Sequence, residues 1–206
     1  MSSEAGRIMG LYERHAHAWD AARGRSRGER PLMEKAWLDA FTALIPAGGS
    51  VLDLGCGSGQ PIAAHLVAEG FRVTGVDGSP TLVSLCRERL PAGEWIEADM
   101  RTLALGRRFD AVIAWDSFFH LAYDDQRRMF GVFDAHAGPE AALMFTSGPA
   151  FGEAIGEFEG EPLYHASLDA DEYRSLLAAH GFSVVQHVAD DPTCGGHTIW
   201  LARRGQ

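Results

Sequence analysis

Asp53, Gly55, Gly57, Gly59 and Asp77 are the residues whose types and spacing could do chemistry in this chain. Val51, Leu52 and Leu54 make a short apolar run around Asp53. The three glycines that follow at alternate positions allow a tight turn in which main-chain N–H groups approach a ligand. Turns of this kind serve nucleotide-type cofactors in general, so spacing and charge have to separate them. A dinucleotide fingerprint needs G-x-G-x-x-G, whereas here the third glycine comes one place early and is followed by Gln60 and Pro61. Asp53 stands two residues before Gly55, close to the helix N-terminus that would have to accept a pyrophosphate, and two anions there repel. A cofactor with an ammonium and no phosphate suits the same residues, and this charge logic favours a sulfonium.

The run Asp53-Leu54-Gly55-Cys56-Gly57-Ser58-Gly59-Gln60 resembles the first motif of the class I S-adenosylmethionine-dependent methyltransferases, an acidic residue followed by G-x-G-x-G. The resemblance continues at residues 71–77, which look like a second strand ending in Asp77, 22 residues after Gly55, with Gly78 and Ser79 behind it. It implies that the Asp77 carboxylate accepts from the ribose hydroxyls, and hydrogen bonds to a charged acceptor contribute roughly 1.5–3 kcal/mol each. Residues 95–100 are similar to the third strand and its acidic-hydrophobic pair, which implies Asp99 at the adenine amine and Met100 on the adenine face. Residues 109–116 resemble the fourth strand, with Trp115 at its end. The resemblance covers roughly residues 45–150 and implies S-adenosyl-L-methionine as cofactor and S-adenosyl-L-homocysteine as product. It says nothing of the acceptor.

Methyl transfer from a sulfonium is an in-line displacement at carbon, and the departing thioether needs no proton. Alignment can supply roughly 7–11 kcal/mol of such a barrier. A base is needed only where the acceptor is a hydroxyl or a protonated amine, and the candidates are His120, Asp116 and His165. Asp116-Ser117-Phe118-Phe119-His120 occupies the place of the [DNS]-P-P-[YF] motif of enzymes that methylate amino groups of nucleic acids and glutamine, but lacks its prolines. The expected acceptor is therefore an O or N atom of a small molecule. The ordinary readings stand beside these: a helix cap for Asp116, a core or capping role for His120, a surface position for His165. Tyr12 and Trp19 suit either aromatic walls over the cofactor or acceptor, or plain helix packing.

These residues need elements to hold them. Helical spacing predicts one helix through Leu11, His15 and Ala18 and a second through Leu32, Ala36, Ala40 and Leu44, before strands and helices begin to alternate. Strands are expected at 50–54, 72–76, 94–98, 109–114, 141–146, 182–188 and 197–202, and helices at 60–69, 80–89, 124–137 and 169–180. Ser79-Pro80 is a helix start. This order predicts an α/β fold, a Rossmann-like, doubly wound, seven-stranded and mostly parallel sheet. The short link at 190–196 permits an antiparallel last strand, which the resemblance also implies. The expected organisation is one domain over 1–206, with a helical cap at 1–45, a cofactor-binding core at 46–146, an acceptor-site lid at 147–168 and a closing helix and strands at 169–206. Glu153, Glu157, Glu159 and Glu161 in the lid could attract an amine, and a surface loop is the plainer reading.

Composition narrows the partners. A chain of 206 residues with 46% hydrophobic content can bury one sizeable core, and its net charge of −10 opposes a broad phosphate-binding surface, so nucleic acid is not expected. No window approaches the roughly 18 apolar residues of a membrane span, and the first ten residues lack an apolar signal core, so the expectation is a cytoplasmic monomer or homodimer. Cys56, Cys86 and Cys194 form no C-x-x-C pair. Cys194-x-x-His197, with Asp190 and Asp191 before it, has ligand residue types but no second local pair, so no metal is expected. Arg23, Arg25, Arg27 and Arg30 suit a solvated connector or a grip on an acceptor anion. Two alternatives remain: a nicotinamide-dependent oxidoreductase, for which no Tyr-x-x-x-Lys is found, and a non-catalytic S-adenosylmethionine-binding regulator.

Overall fold

The computed structural model describes residues 4–24 and 32–205, so Arg25, Arg27 and Arg30 lie outside the described residues. Three helices, α1 (Glu4–Arg14), α2 (Ala16–Gly24) and α3 (Lys35–Thr42), come first. Strands and helices then alternate through β1 (Ser50–Leu54), α4 (Ile62–Ala68), β2 (Arg72–Asp77), α5 (Pro80–Arg89), β3 (Glu94–Glu97), β4 (Phe109–Ala114), α6 (Tyr123–His136) and β5 (Ala137–Ser147). A hairpin of β6 (Gly152–Phe158) and β7 (Glu161–Ser167) precedes α7 (Ala170–Ala179), β8 (Phe182–Asp191) and β9 (His197–Arg204). The main sheet has the order β3-β2-β1-β4-β5-β9-β8. All its neighbours pair parallel except β9, which runs antiparallel to both β5 and β8.

The sheet is covered on both faces, which is why its central strands are apolar throughout rather than alternating. Ala111 and Ile113 of β4 face Leu38 and Phe41 of α3 and Leu66 of α4, while Val112 and Ala114 face Phe130 and Phe133 of α6 and Leu177 of α7. Phe118, on a short 3-10 turn after β4, joins the second layer and lies against Phe130, Phe133, Phe145 and Tyr173 at ring distances of 5.2–6.1 Å. Tyr173 donates to Gln126 Oε1 at 2.6 Å, and Gln126 Nε2 donates to the Leu121 and Ala166 carbonyls at 2.9 Å each. This buried polar chain ties α7, α6, the segment after Phe118 and β7 together.

Two local features differ from the pattern of the sequence. The first expected helix is divided at His15 into α1 and α2, although the His15 N–H still donates to the Leu11 carbonyl and the Trp19 N–H to the His15 carbonyl. The His15 ring is drawn aside to Glu161 Oε1, 2.7 Å away. Residues 152–167 form an antiparallel hairpin rather than an irregular loop, turning at Glu159 (φ 51°) and Gly160 (φ 79°), the left-handed pair that a two-residue hairpin turn requires. Gly152 and Gly156 lie on β6 and Gly160 at the turn. Tyr164 and Ala166 of β7 pack on Ile8 of α1.

Because Phe118 is fully buried among four rings, Phe118→Ala should cost about 3–5 kcal/mol of stability in urea unfolding. A loss below about 1 kcal/mol would show that this layer does not hold the segment after β4 in place.

Candidate active site

The strands β1, β2, β3 and β4 run parallel and end on the same side, so Gly55, Asp77, Asp99 and Asp116 gather at one edge of the sheet. At Gly55 (φ 78°) a Cβ would come within 2.2 Å of Ser117 Cβ, so the chain after β1 can approach the chain after β4 only through a glycine. Gly57 N–H donates to Asp77 Oδ2 at 2.8 Å and Ser79 N–H to Asp77 Oδ1 at 2.9 Å. Burial raises the Asp77 carboxyl above its usual range, and these N–H groups offset part of that.

Helices α1 and α2 cover this edge. Glu13 accepts from the Ser79 hydroxyl at 2.5 Å and the Thr81 hydroxyl at 2.7 Å, a carboxylate at the N-terminus of α5, and Arg89 donates to Asp20 at 2.5 and 2.8 Å. Arg14 and His15 hold Glu161 of the hairpin, and Phe158 at the hairpin tip lies edge-on to Trp19 at 5.6 Å.

Cavities open beneath this cover among the described residues. The first is lined by Tyr12, Asp77, Gly78, Asp99, Met100 and His120 among others. The second adjoins it and is lined by Arg23, Asp53, Cys56, Gln60 and Trp115. Trp19, Gly55, Gly57 and Asp116 line both, so the two cavities meet over the glycine turn. A third, outer cavity lies beyond β5, walled by Phe119, Ser147, Glu153, His165 and His197.

The second cavity is lined by two carboxyl groups, Asp53 and Asp116, and, among the described residues, by one cation, Arg23. Burial, and then the charge of Asp77, push Asp53 up to about 7. Gln60 Oε1 and Trp115 Nε1 are buried there without a hydrogen-bond partner, and buried polar atoms of that kind imply a ligand or water.

His120 is buried with both ring nitrogens engaged. Its Nδ1 lies 2.7 Å from the Tyr164 carbonyl, which can only accept, so Nδ1 carries the proton and Nε2 accepts from the Tyr12 hydroxyl at 2.8 Å. Burial lowers its pKa to about 4, keeping the ring neutral, and burial raises Tyr12. His165 lies against His120, with ring centres 4.8 Å apart, and burial lowers it too. Asp116 is not a free base: Arg23 Nη2 donates to one oxygen at 2.9 Å, and His197 Nε2 lies 2.8 Å from the other. Burial pushes the Asp116 carboxyl up, but these two partners together outweigh it and leave it lowered.

Of the residues expected to bind a cofactor, Tyr12, Gly55, Gly57, Asp77, Gly78, Asp99 and Met100 line the first cavity, and Asp53, Cys56, Gln60 and Trp115 the second. Gly59 and Ser79 line neither. A Cβ on Gly59 would meet Leu90 at 2.8 Å, so its role is packing, while the Ser79 hydroxyl caps α5 and donates to Glu13. Both Asp99 oxygens are taken up by Arg101, whose hydrogen bonds lower the carboxyl. Glu161 is committed to the cap, so Glu153 alone of the four hairpin acids faces a cavity. Cys194 meets His197 through its carbonyl, not its thiol, and the described residues hold no group of three or more metal-ligating side chains. Sequence reasoning missed Met9 and Leu82 in the first cavity and the link from Arg23 through Asp116 to His197. Arg23 carried a signal as the first of four arginines that suit a solvated connector or a grip on an anion. His197 carried none beyond Cys194.

Residues 51–139 match a family model described as a methyltransferase domain. A methyltransferase of Bacillus subtilis called YqeM, itself described as putative, is 31% identical over 121 residues, 56% of this chain and 49% of that protein. A Streptomyces fradiae dTDP-3-amino-3,6-dideoxy-alpha-D-glucopyranose N,N-dimethyltransferase is 37% identical over 101 residues, 48% of this chain and 39% of that one. The alignments thus span about half or less of these relatives. The Burkholderia thailandensis 1,6-didemethyltoxoflavin-N1-methyltransferase, solved with S-adenosylhomocysteine bound, superposes with a TM-score of 0.73 at 18% identity, covering 100% of this chain and 92% of its own.

The neutral burial of His120 has a consequence for stability. Its folded pKa is about 4 against an ordinary value near 6.5, so between these the unfolded chain alone takes up the proton. The contribution is full above about pH 6.5 and falls toward pH 4, by up to about 3 kcal/mol. Asp53, raised to about 7, drifts in the opposite sense. Urea unfolding of the wild type alongside His120→Asn separates the two: the gap between them should narrow on acidification, and a gap constant from pH 7 to pH 5 would contradict a buried neutral imidazole.

Proposed function

We propose that this chain, which has the class I methyltransferase fold, transfers a methyl group from S-adenosyl-L-methionine to a nitrogen or oxygen atom of a small molecule by in-line displacement. The observation that carries this reading is the pair of cavities joined over the glycine turn. The first offers carboxylates and apolar surface for a nucleoside, and the second offers Asp53, Arg23 and two unpartnered polar atoms for a zwitterionic amino-acid end. Asp53 beside the turn is unfavourable for a pyrophosphate and favourable for an ammonium. The residues therefore fit the cofactor: Asp77 for the ribose, Met100 and Leu82 for the base, Gln60 and Asp53 for the ammonium, Arg23 and the Trp115 N–H for the carboxylate. When bound, the sulfonium supplies an activated methyl group.

The chain's own work is then alignment, exclusion of water and removal of one proton. Trp19, Gly55 and Gly57 form the walls of the junction, and the α1–α2 cover shields it. His120 is the base we assign, because its Nε2 lone pair faces the Tyr12 hydroxyl inside the first cavity and burial keeps it unprotonated at neutral pH. A proton leaving the acceptor passes to the Tyr12 oxygen as the Tyr12 hydroxyl proton passes to Nε2. His165 backs His120 from the outer cavity, and Asp116 stays an ion-paired carboxylate. The whole chain would act as one catalytic domain, as a monomer or homodimer in the cytoplasm. No described helix is long and apolar enough to cross a membrane.

The test is turnover of methyl-labelled S-adenosylmethionine with pooled small amines and hydroxy compounds. Label should pass to a small molecule, and His120→Ala should lower kcat by about 10²–10⁴ while S-adenosylhomocysteine affinity stays within about twofold. An unchanged kcat in that variant would remove His120 from the reaction.

A further inference from the structure

Arg23, Asp116 and His197 come from α2, the end of β4 and the start of β9, and meet at the wall between the joined cavities and the outer one. The Asp116 carboxylate accepts from Arg23 at 2.9 Å and faces His197 Nε2 at 2.8 Å. On its other side, His197 Nδ1 lies 2.5 Å from the Cys194 carbonyl. A carbonyl can only accept, and so can a carboxylate, so His197 must donate from both ring nitrogens and is an imidazolium. The three side chains are 21%, 12% and 20% exposed in that order, so solvent screens them far less than it screens surface pairs. The Asp116 carboxylate thus has a cation on each of its two oxygens.

Asp116 itself is held in an unusual backbone. Its φ of 50° is left-handed, and its N–H donates to Thr146 Oγ1 at 2.9 Å. A non-glycine residue keeps such a conformation where its surroundings fix it, and these three contacts are what fix it here. Trp115 stacks on the His197 ring at 5.4 Å. The other charged or titratable groups facing that ring are Glu34 before α3, and Glu153 and His165 across the outer cavity, with Arg23 beyond Asp116.

We infer that His197 is a positioning residue: as an imidazolium it fixes Asp116 and, with Arg23, keeps the Asp116 carboxylate compensated where the two cofactor cavities meet. The inference rests on the methyl-transfer reading above. In that reaction positive charge leaves the sulfur, so a free carboxylate at the junction would hold the reactant more strongly than the transition state and slow the transfer. The compensated wall avoids that. His197 thus acts through Asp116 and not on the acceptor, since both its N–H groups are already used.

The experiment compares affinities for S-adenosylmethionine, a cation at sulfur, and S-adenosylhomocysteine, neutral there, in the wild type and in His197→Gln by calorimetry. The glutamine amide can still donate to Asp116 but carries no charge. The ratio of the two affinities should move toward S-adenosylmethionine by about tenfold, the size expected of one unit charge at close range in a partly buried site. A merely structural histidine would weaken both ligands together, and an unchanged ratio overturns the inference while leaving methyl transfer standing. Failure of the wild type to bind either ligand would overturn both. Imidazole nitrogen NMR of the wild type gives a second check that needs no variant: both His197 nitrogens should be protonated at about pH 7.5, and a singly protonated ring would refute the assignment.

Discussion

One Asp77 oxygen accepts from Gly57 N–H at 2.8 Å and the other from Ser79 N–H at 2.9 Å, so a single carboxylate at the end of β2 sets both the glycine turn after β1 and the start of α5. The turn can occupy that position only because Gly55 has no Cβ to strike Ser117. Once the turn is placed, the two cavities meet over it and the chain after β4 comes close enough for Asp116 and His120 to face them. The arrangement has a cost, since burial raises the Asp77 carboxyl and its charge helps to raise Asp53. A ligand that donates hydroxyls to Asp77 relieves part of that desolvation, which is a physical reason for the site to favour one.

The cover over the site is held in a different way from the sheet. Ile8 packs on Tyr164 and Ala166, but most of the other ties are polar: Glu13 to Ser79 and Thr81, Asp20 to Arg89, Arg14 and His15 to Glu161, and Arg23 to Asp116. The exposed pairs at Glu161 contribute roughly 0–1 kcal/mol each, whereas Arg23 and Asp116 are only 21% and 12% exposed and are screened less. Tyr12 and Arg23 belong to this cover and also to the cavities, which couples closure of the helices to assembly of the base and of the charged wall.

Much of this was legible in the sequence. The strand and helix boundaries lie within a few residues of those expected, because buried parallel strands are continuous apolar runs and Ser79-Pro80 announces a helix. The glycine turn and Asp77 were legible for the same reason that they matter: few residue types tolerate those positions. The hairpin at 152–167 was not, since β6 is exposed along almost its whole length and presents no alternation to read. The Arg23–Asp116–His197 link was not either. Its members lie 93 and 81 residues apart in pairs, and only the sheet order, which sets β9 beside β5 and β5 beside β4, brings them together. Asp99 was legible as an acid at a strand end, but not as one already saturated by Arg101.

The most direct test is calorimetric titration of the purified protein with S-adenosylhomocysteine, with NADH and NADPH titrated in parallel. Cavities that place Asp53 beside the glycine turn and Arg23 in the same wall lining should accept S-adenosylhomocysteine at micromolar concentration and neither nicotinamide. Binding of a reduced nicotinamide in place of S-adenosylhomocysteine would contradict the charge argument at its root and make hydride transfer the reaction to pursue.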